Sequence, residues 1–156
     1  MRRSDPLRAA WAHVALIALA VAAAYHHTLG VPFYLDDFSS IRDNDLIYRW
    51  QGLAALWRAQ PNRVVGYLSF ALNYRLGGFA PAGYHVGNLL VHVLTGIAVY
   101  ALARGLLRTP RLRGAVPALA RDWAPLLAAL LVVLHPLQTQ AVTYIVQRLA
   151  SLVAFF

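Results

Sequence analysis

The stretch "YHVGNLLVHVLTGIAVYALARGLL" (residues 84–107) decides the fold. It is longer than the roughly 20 residues that carry a helix across a bilayer, and its single charge, Arg104, stands near the end. His85, Asn88, His92 and Thr95 follow one another at spacings of three, four and three. Those spacings put them on one helical face. Polar side chains inside lipid turn toward a helix bundle or a water-filled cavity. The expectation is therefore that His85, Asn88 and His92 line a cavity, the alternative being hydrogen bonds that simply join helices. His85 and His92 are seven apart, too far for a shared metal ion, since helical metal pairs sit at i, i+4.

The rest of the chain agrees with a membrane reading. Its 156 residues are 60% hydrophobic and 13% charged, against roughly 45–50% and about 25% in soluble domains. The net charge of +8 comes from arginine, with no Lys and no Glu. These arginines flank apolar runs instead of forming a basic face on a polar body, which argues against nucleic acid as a partner. No Cys is present, which removes disulfides and thiolate chemistry.

Spans are expected at about residues 9–29, 84–107, 122–135 and 141–156. Arg2, Arg3 and Arg8 precede the first, and a signal peptide with a small-residue site near Ala24 is its alternative. The last run reaches Phe156 without a Gly, Pro or charge to end it, so it reads as an incomplete span and the chain as the front part of a longer protein. Arg104, Arg108, Arg111, Arg113 and Arg121 crowd the loop 104–121. The positive-inside rule places that loop and the N-terminus in the cytoplasm, and residues 30–83 outside. Residues 64–76, apolar but short, then lie at the outer interface or re-enter partway. Within the outer loop, Asp45 is expected to cap an amphipathic helix carrying Leu46, Trp50, Leu53 and Trp57 on its apolar side. Such a helix rests on the outer leaflet or packs in a small loop domain.

The six acidic residues are unevenly spread: Asp36, Asp37, Asp43 and Asp45 fall together in "PFYLDDFSSIRDND" (residues 32–45). Asp43 and Asp45 suit turn and cap positions. Asp36 and Asp37 sit among Phe33, Leu35 and Phe38, and adjacent carboxylates in an apolar setting point to a proton, a cation or a substrate. In the expected topology His135, Gln138 and Arg148 fall on the same side. An acid, a His and an Arg together suit group transfer from a lipid phosphate. A transporter would instead carry ionisable groups near the bilayer midplane.

Three stretches carry a family resemblance: "FYLDDFSSI", "LNYRLGGFAPAGYHVGNLLVHVLTGIAVY" and "LHPLQTQAVTYIVQRLASL". Together they resemble the front part of the TMTC-type protein O-mannosyltransferases and their bacterial tetratricopeptide-repeat relatives. The resemblance implies an all-α, polytopic membrane helix bundle of the GT-C class. It implies transfer of a sugar, mannose by family, from a polyprenyl-phosphate donor to a Ser/Thr hydroxyl of an external acceptor protein or peptide. The location implied is a bacterial inner membrane with the site on the external face. By the same resemblance Asp36 and Asp37 match the loop-one acidic motif, as catalytic base or as supports for a divalent metal ion. Arg63, His135, Gln138 and Arg148 fall where donor phosphate or acceptor would bind. Where the family pattern leads one to expect Arg-Pro, this chain reads "NRVV" (residues 62–65). No stretch holds several repeats of about 34 residues, so these 156 residues alone are expected to be inactive. The competing reading is a non-catalytic membrane anchor or scaffold for a repeat domain.

Overall fold

A computed structural model describes residues 6–49 and 52–155. Arg2, Arg3, Trp50 and Phe156, all used in the sequence reading, lie outside the described residues. All regular structure among the described residues is helical. The helices are α1 (Pro6–Tyr25), α2 (Asp45–Tyr48), α3 (Leu53–Ala59), α4 (Val64–Gly77), α5 (Pro81–Leu107), α6 (Pro110–Ala115), α7 (Ala118–Val133), α8 (Thr139–Thr143) and α9 (Arg148–Phe155). This is an integral membrane protein. Two helical stretches, Leu7–Gly30 and Pro81–Leu107, are long and apolar enough to span. A third candidate is the pair Ala118–Val133 and Pro136–Thr143, bent by 51°. Pro136 accounts for the bend, because it lacks the N–H that would continue the helix. α4, with 14 residues, is about 21 Å long and falls short of the roughly 30 Å apolar core.

The chain divides into two compact units. The first takes the N-terminal part up to Ala24 and His92–Gln138. Its core joins Ile17 of α1, Tyr100 of α5, and Leu126 and Ala129 of α7. Gly96 is the contact that sets the packing: a Cβ there would lie 2.7 Å from Val133 Cγ1 and 2.9 Å from Ile17 Cγ2. Small residues of this kind let membrane helices approach closely.

The second unit takes Tyr25–Val91 and Thr139–Phe156. Ile41, Ile47, Leu56, Tyr67, Phe70, Tyr84 and Ile145 form its core.

Two expectations are corrected here. The single amphipathic helix capped by Asp45 is two short helices, α2 and α3, separated at Gly52, whose φ of +91° no continuous helix accommodates. The cap is Asn44, whose side chain accepts from the Leu46 N–H at 3.0 Å. Asp45 is already the first helical residue. Ile47 and Leu56 are the buried residues of these helices, while Leu53 and Trp57 are exposed. The last apolar run is also not one helix. Tyr144 adopts an extended conformation between α8 and a 3-10 turn at Ile145–Gln147, which leads into α9. Two hydroxyls in this run bond locally: Thr143 Oγ1 donates to Thr139 O at 2.8 Å and Ser151 Oγ to Gln147 O at 3.1 Å.

Candidate functional site

The acidic stretch of the second unit is shaped by its backbone. Leu35 has a φ of +48°, a left-handed conformation that costs an L-residue about 1–2 kcal/mol. A single π-helical turn, Phe38–Arg42, follows. Strained backbone and π turns of this kind concentrate at functional sites. The neighbouring bonds hold the strain in place. The Asp36 N–H donates to the Tyr144 hydroxyl at 2.9 Å, and the Tyr144 ring stacks on Tyr34 at 4.5 Å between centroids.

The two adjacent aspartates therefore differ. Asp37 is fully buried. Its Oδ1 accepts from the Val146 N–H at 2.8 Å and its Oδ2 from the Tyr34 N–H at 3.3 Å. Burial holds its carboxyl above the usual carboxylate range; the two backbone N–H groups and His85 oppose that rise, and Asp36 adds to it. Asp36 is exposed. It lines a cleft of about 480 Å³ with Asn62, Arg63, Tyr144, Gln147 and Leu149. A second, apolar groove of about 360 Å³ is lined by Trp57, Val64, Gly66, Leu149 and Leu152, and shares Asn62, Arg63, Leu149 and Val153 with the first. Polar cleft and apolar groove thus adjoin at Arg63.

Arg148 is buried and points into the core. Its Nε donates to Asn88 Oδ1 at 2.7 Å, and its Nη1 to Asn73 Oδ1 at 2.7 Å and Ser69 Oγ at 3.1 Å. Its Nη2 donates to the Tyr84 carbonyl, and the guanidinium lies 4.6 Å from the Phe70 ring centre. With four of its five N–H donors bonded to these neutral partners, Arg148 ties α9 to α4 and α5.

The polar face of α5 also bonds to the protein itself, with His85 Nδ1 left buried and unbonded among the described residues. His85 Nε2 pairs with Val31 O at 2.9 Å. Asn88 Nδ2 donates to the carbonyls of Val142 and Tyr144 at 3.2 and 3.1 Å. These carbonyls fall at the break between α8 and α9, where that of Tyr144 also accepts from the Gln147 N–H at 3.1 Å. In the first unit, His92 Nε2 pairs with Val133 O at 2.9 Å. So the expected cavity lining becomes a set of bonds to backbone carbonyls at helix ends. His135 and Gln138 belong to the first unit. His135 is exposed beside Leu131 and Leu134, and its Nδ1 accepts from the Leu137 N–H at 3.2 Å.

The sequence reading missed Tyr144 and Asn62. The signal for Tyr144 was faint: a lone Tyr within an apolar run, 108 residues from its partner Asp36.

Comparison with curated proteins gives a consistent result. The chain is 34% identical over 143 residues to the protein O-mannosyl-transferase Tmtc2 of Drosophila melanogaster, covering 80% of this chain and 13% of that protein. It is 32% identical to human TMTC4, covering 94% of this chain and 22% of the relative. It is 29% identical to mouse TMTC3, covering 92% of this chain and 16% of the relative. The chain thus spans between an eighth and a quarter of the length of these relatives. No family model and no solved structure matches it.

Proposed function

The chain is TMTC-like, and on that premise we propose that it supplies part of a membrane glycosyltransferase. The enzyme moves a sugar, mannose by the relatives' names, from a polyprenyl-phosphate donor to a hydroxyl of an acceptor protein. One observation carries the reading: the cleft holding Asp36 and Arg63 adjoins an apolar groove. A lipid phosphate needs that juxtaposition. Arg63 would hold the phosphate, since a guanidinium matches phosphate oxygens. The groove between Trp57 and Leu152 would take the first isoprene units.

Asp36 is the base of the pair. Its carboxylate takes the proton of the acceptor hydroxyl as that oxygen bonds to the sugar's anomeric carbon. The bond from that carbon to the phosphate oxygen breaks, and polyprenyl phosphate leaves. Asp37 acts as a positioning residue, fixing the loop through Val146 and Tyr34. Among the described residues no three His or carboxylate side chains gather to hold a metal ion. A magnesium-type ion needs only one or two carboxylates besides phosphate oxygens. Asp36 fits that part, whereas both oxygens of Asp37 are already engaged. Such an ion would supply charge neutralisation at the leaving phosphate. The same reading places the N-terminus in the cytoplasm of a bacterial cell and the cleft on the external face of its inner membrane.

The test is transfer of labelled mannose from polyprenyl-phosphate mannose to acceptor peptide by membranes carrying the full-length protein. Asp36→Asn should lower the rate about 10²- to 10⁴-fold, the range of a lost general base, with expression unchanged. Normal transfer by this variant would discard the assignment and favour the anchor reading.

A further inference from the structure

We propose that an arginine-lined hollow in the first unit holds the phosphate of an anionic membrane lipid. The hollow, about 200 Å³, is lined by His13 of α1, Tyr100, Arg104 and Arg108 at the end of α5, and Arg121 and Trp123 of α7. It has several times the roughly 30 Å³ share of one water, which leaves room for a phosphodiester. An adjoining hollow of about 320 Å³ shares Arg108 and Arg121 and adds Arg113. Among the described residues, Asp122 is the one carboxylate lining either. Four guanidinium groups among the described residues thus meet one carboxylate here.

The site is built, and two of its cations, Arg104 and Arg121, are held by the fold. The Tyr100 hydroxyl accepts from Arg104 Nη1 at 2.9 Å and meets His13 Nδ1 at 3.2 Å, which fixes one wall. Arg121 Nη1 donates to Val116 O at 2.8 Å and to Arg113 O. That anchors its guanidinium while its Nε and Nη2 have no partner among the described residues. Arg108 is exposed and makes no side-chain hydrogen bond or ion pair among the described residues. Two arginines thus present free donors to one concave space, the geometry that takes phosphate oxygens in pairs.

The surroundings select a lipid over a soluble phosphate. Trp123 forms part of the wall, with its ring 5.2 Å from His13, and Trp11 of α1 is exposed. Leu102, Leu106 and Leu119 are exposed on the same helix ends. Trp at the end of an apolar span marks headgroup depth, and basic pockets between membrane helices take anionic headgroups.

The experiment is native mass spectrometry of the full-length protein in detergent. It is titrated with phosphatidylglycerol or phosphatidylcholine of matched chains, with inorganic pyrophosphate as competitor. Phosphatidylglycerol should be retained over phosphatidylcholine. Arg108→Gln, which breaks no bond of the fold, should weaken that retention about fivefold, as expected for one arginine at an anionic surface. Arg58→Gln, at an exposed arginine of α3 in the other unit, should leave it unchanged. Equal retention of the two lipids, or an Arg108→Gln protein that binds like the parent, would overturn the proposal. Displacement of the lipid by equimolar pyrophosphate would overturn the choice of a lipid.

Discussion

Arg148 and Arg108 are the same residue type put to opposite uses in the two units. In the second unit, Arg148 is buried under Asn88, Asn73, Ser69 and the Tyr84 carbonyl. In the first, Arg108 is exposed and unbonded among the described residues. The difference lies in the neighbours. Where apolar helices bring amide and hydroxyl acceptors to a guanidinium, the cation becomes part of the core. Where they end in tryptophan and more arginine, it stays available to an anion. Position beside an apolar run, which both share, does not distinguish them.

The sharpest way to break this comparison is Arg148→Ala. It removes four hydrogen bonds and leaves Asn88 Oδ1 and Asn73 Oδ1 without their donor. Bonds to charged groups contribute about 1.5–3 kcal/mol each, so a loss of at least about 3 kcal/mol is expected. Thermal unfolding of the full-length protein in detergent should show it as a large fall in midpoint, whereas Arg108→Ala should leave the midpoint unchanged. Similar midpoints for both variants would erase the distinction.

Gly87→Ala probes the same pocket more gently. An added Cβ would sit 2.5 Å from Arg148 Nη2 and 2.7 Å from its Cζ. The guanidinium is held by its bonds and cannot swing away, so overpacking should cost about 1–3 kcal/mol. The proper comparison is Gly83→Ala on the same helix, where nothing lies within 4 Å of the added carbon. Equal midpoints for the pair would show that Arg148 is less firmly held than its bonds imply.

These cases also show what could be read from sequence. The span at α5, the shared face of His85, Asn88 and His92, and the break at Pro136 follow from periodicity and backbone chemistry. All are local properties. The role of Arg148 is not local: its partners Asn88, Asn73 and Ser69 stand 60, 75 and 79 residues away. From sequence, a charge opening an apolar run reads as a ligand-binding group, because the acceptors that claim it cannot be seen. The division between Asp36 and Asp37 was hidden for the same reason, since Val146 and Tyr144 come from the far end of the chain.

That division has a pH signature. Burial raises the Asp37 carboxyl above its ordinary 3.8, so the folded protein keeps this proton at a pH where the unfolded chain has released it. The folded state then binds more protons, and stability falls as pH rises through the window from 3.8 up to the raised value. Above that window the contribution is lost. Asp37→Asn cannot titrate. The midpoint difference between parent and variant should therefore shift toward the variant as pH climbs through the window. A difference that stays constant across it would mean that Asp37 is no more buried, in effect, than Asp36.

The smallest effect separates two neighbours at the start of α2. The common start signal of an Asp before an apolar run favours Asp45 as the cap, but the bond from the Leu46 N–H goes to Asn44 Oδ1. Asn44 has the extended backbone of a cap, with φ −100° and ψ 106°, and its Nδ2 also donates to Ser40 O at 3.1 Å. Asp45, one residue on, makes an exposed ion pair with Arg49 at 3.7 Å and a bond to the Tyr48 hydroxyl. Exposed pairs of this kind contribute about 0–1 kcal/mol, whereas a lost cap costs about 1 kcal/mol. Asn44→Ala should therefore speed amide exchange at Leu46 and Ile47 more than Asp45→Ala does. Raised salt should widen the gap slightly, because it screens the ion pair, so that Asp45→Ala costs less, and leaves the neutral cap intact. The reverse order of exchange rates would return the cap to Asp45.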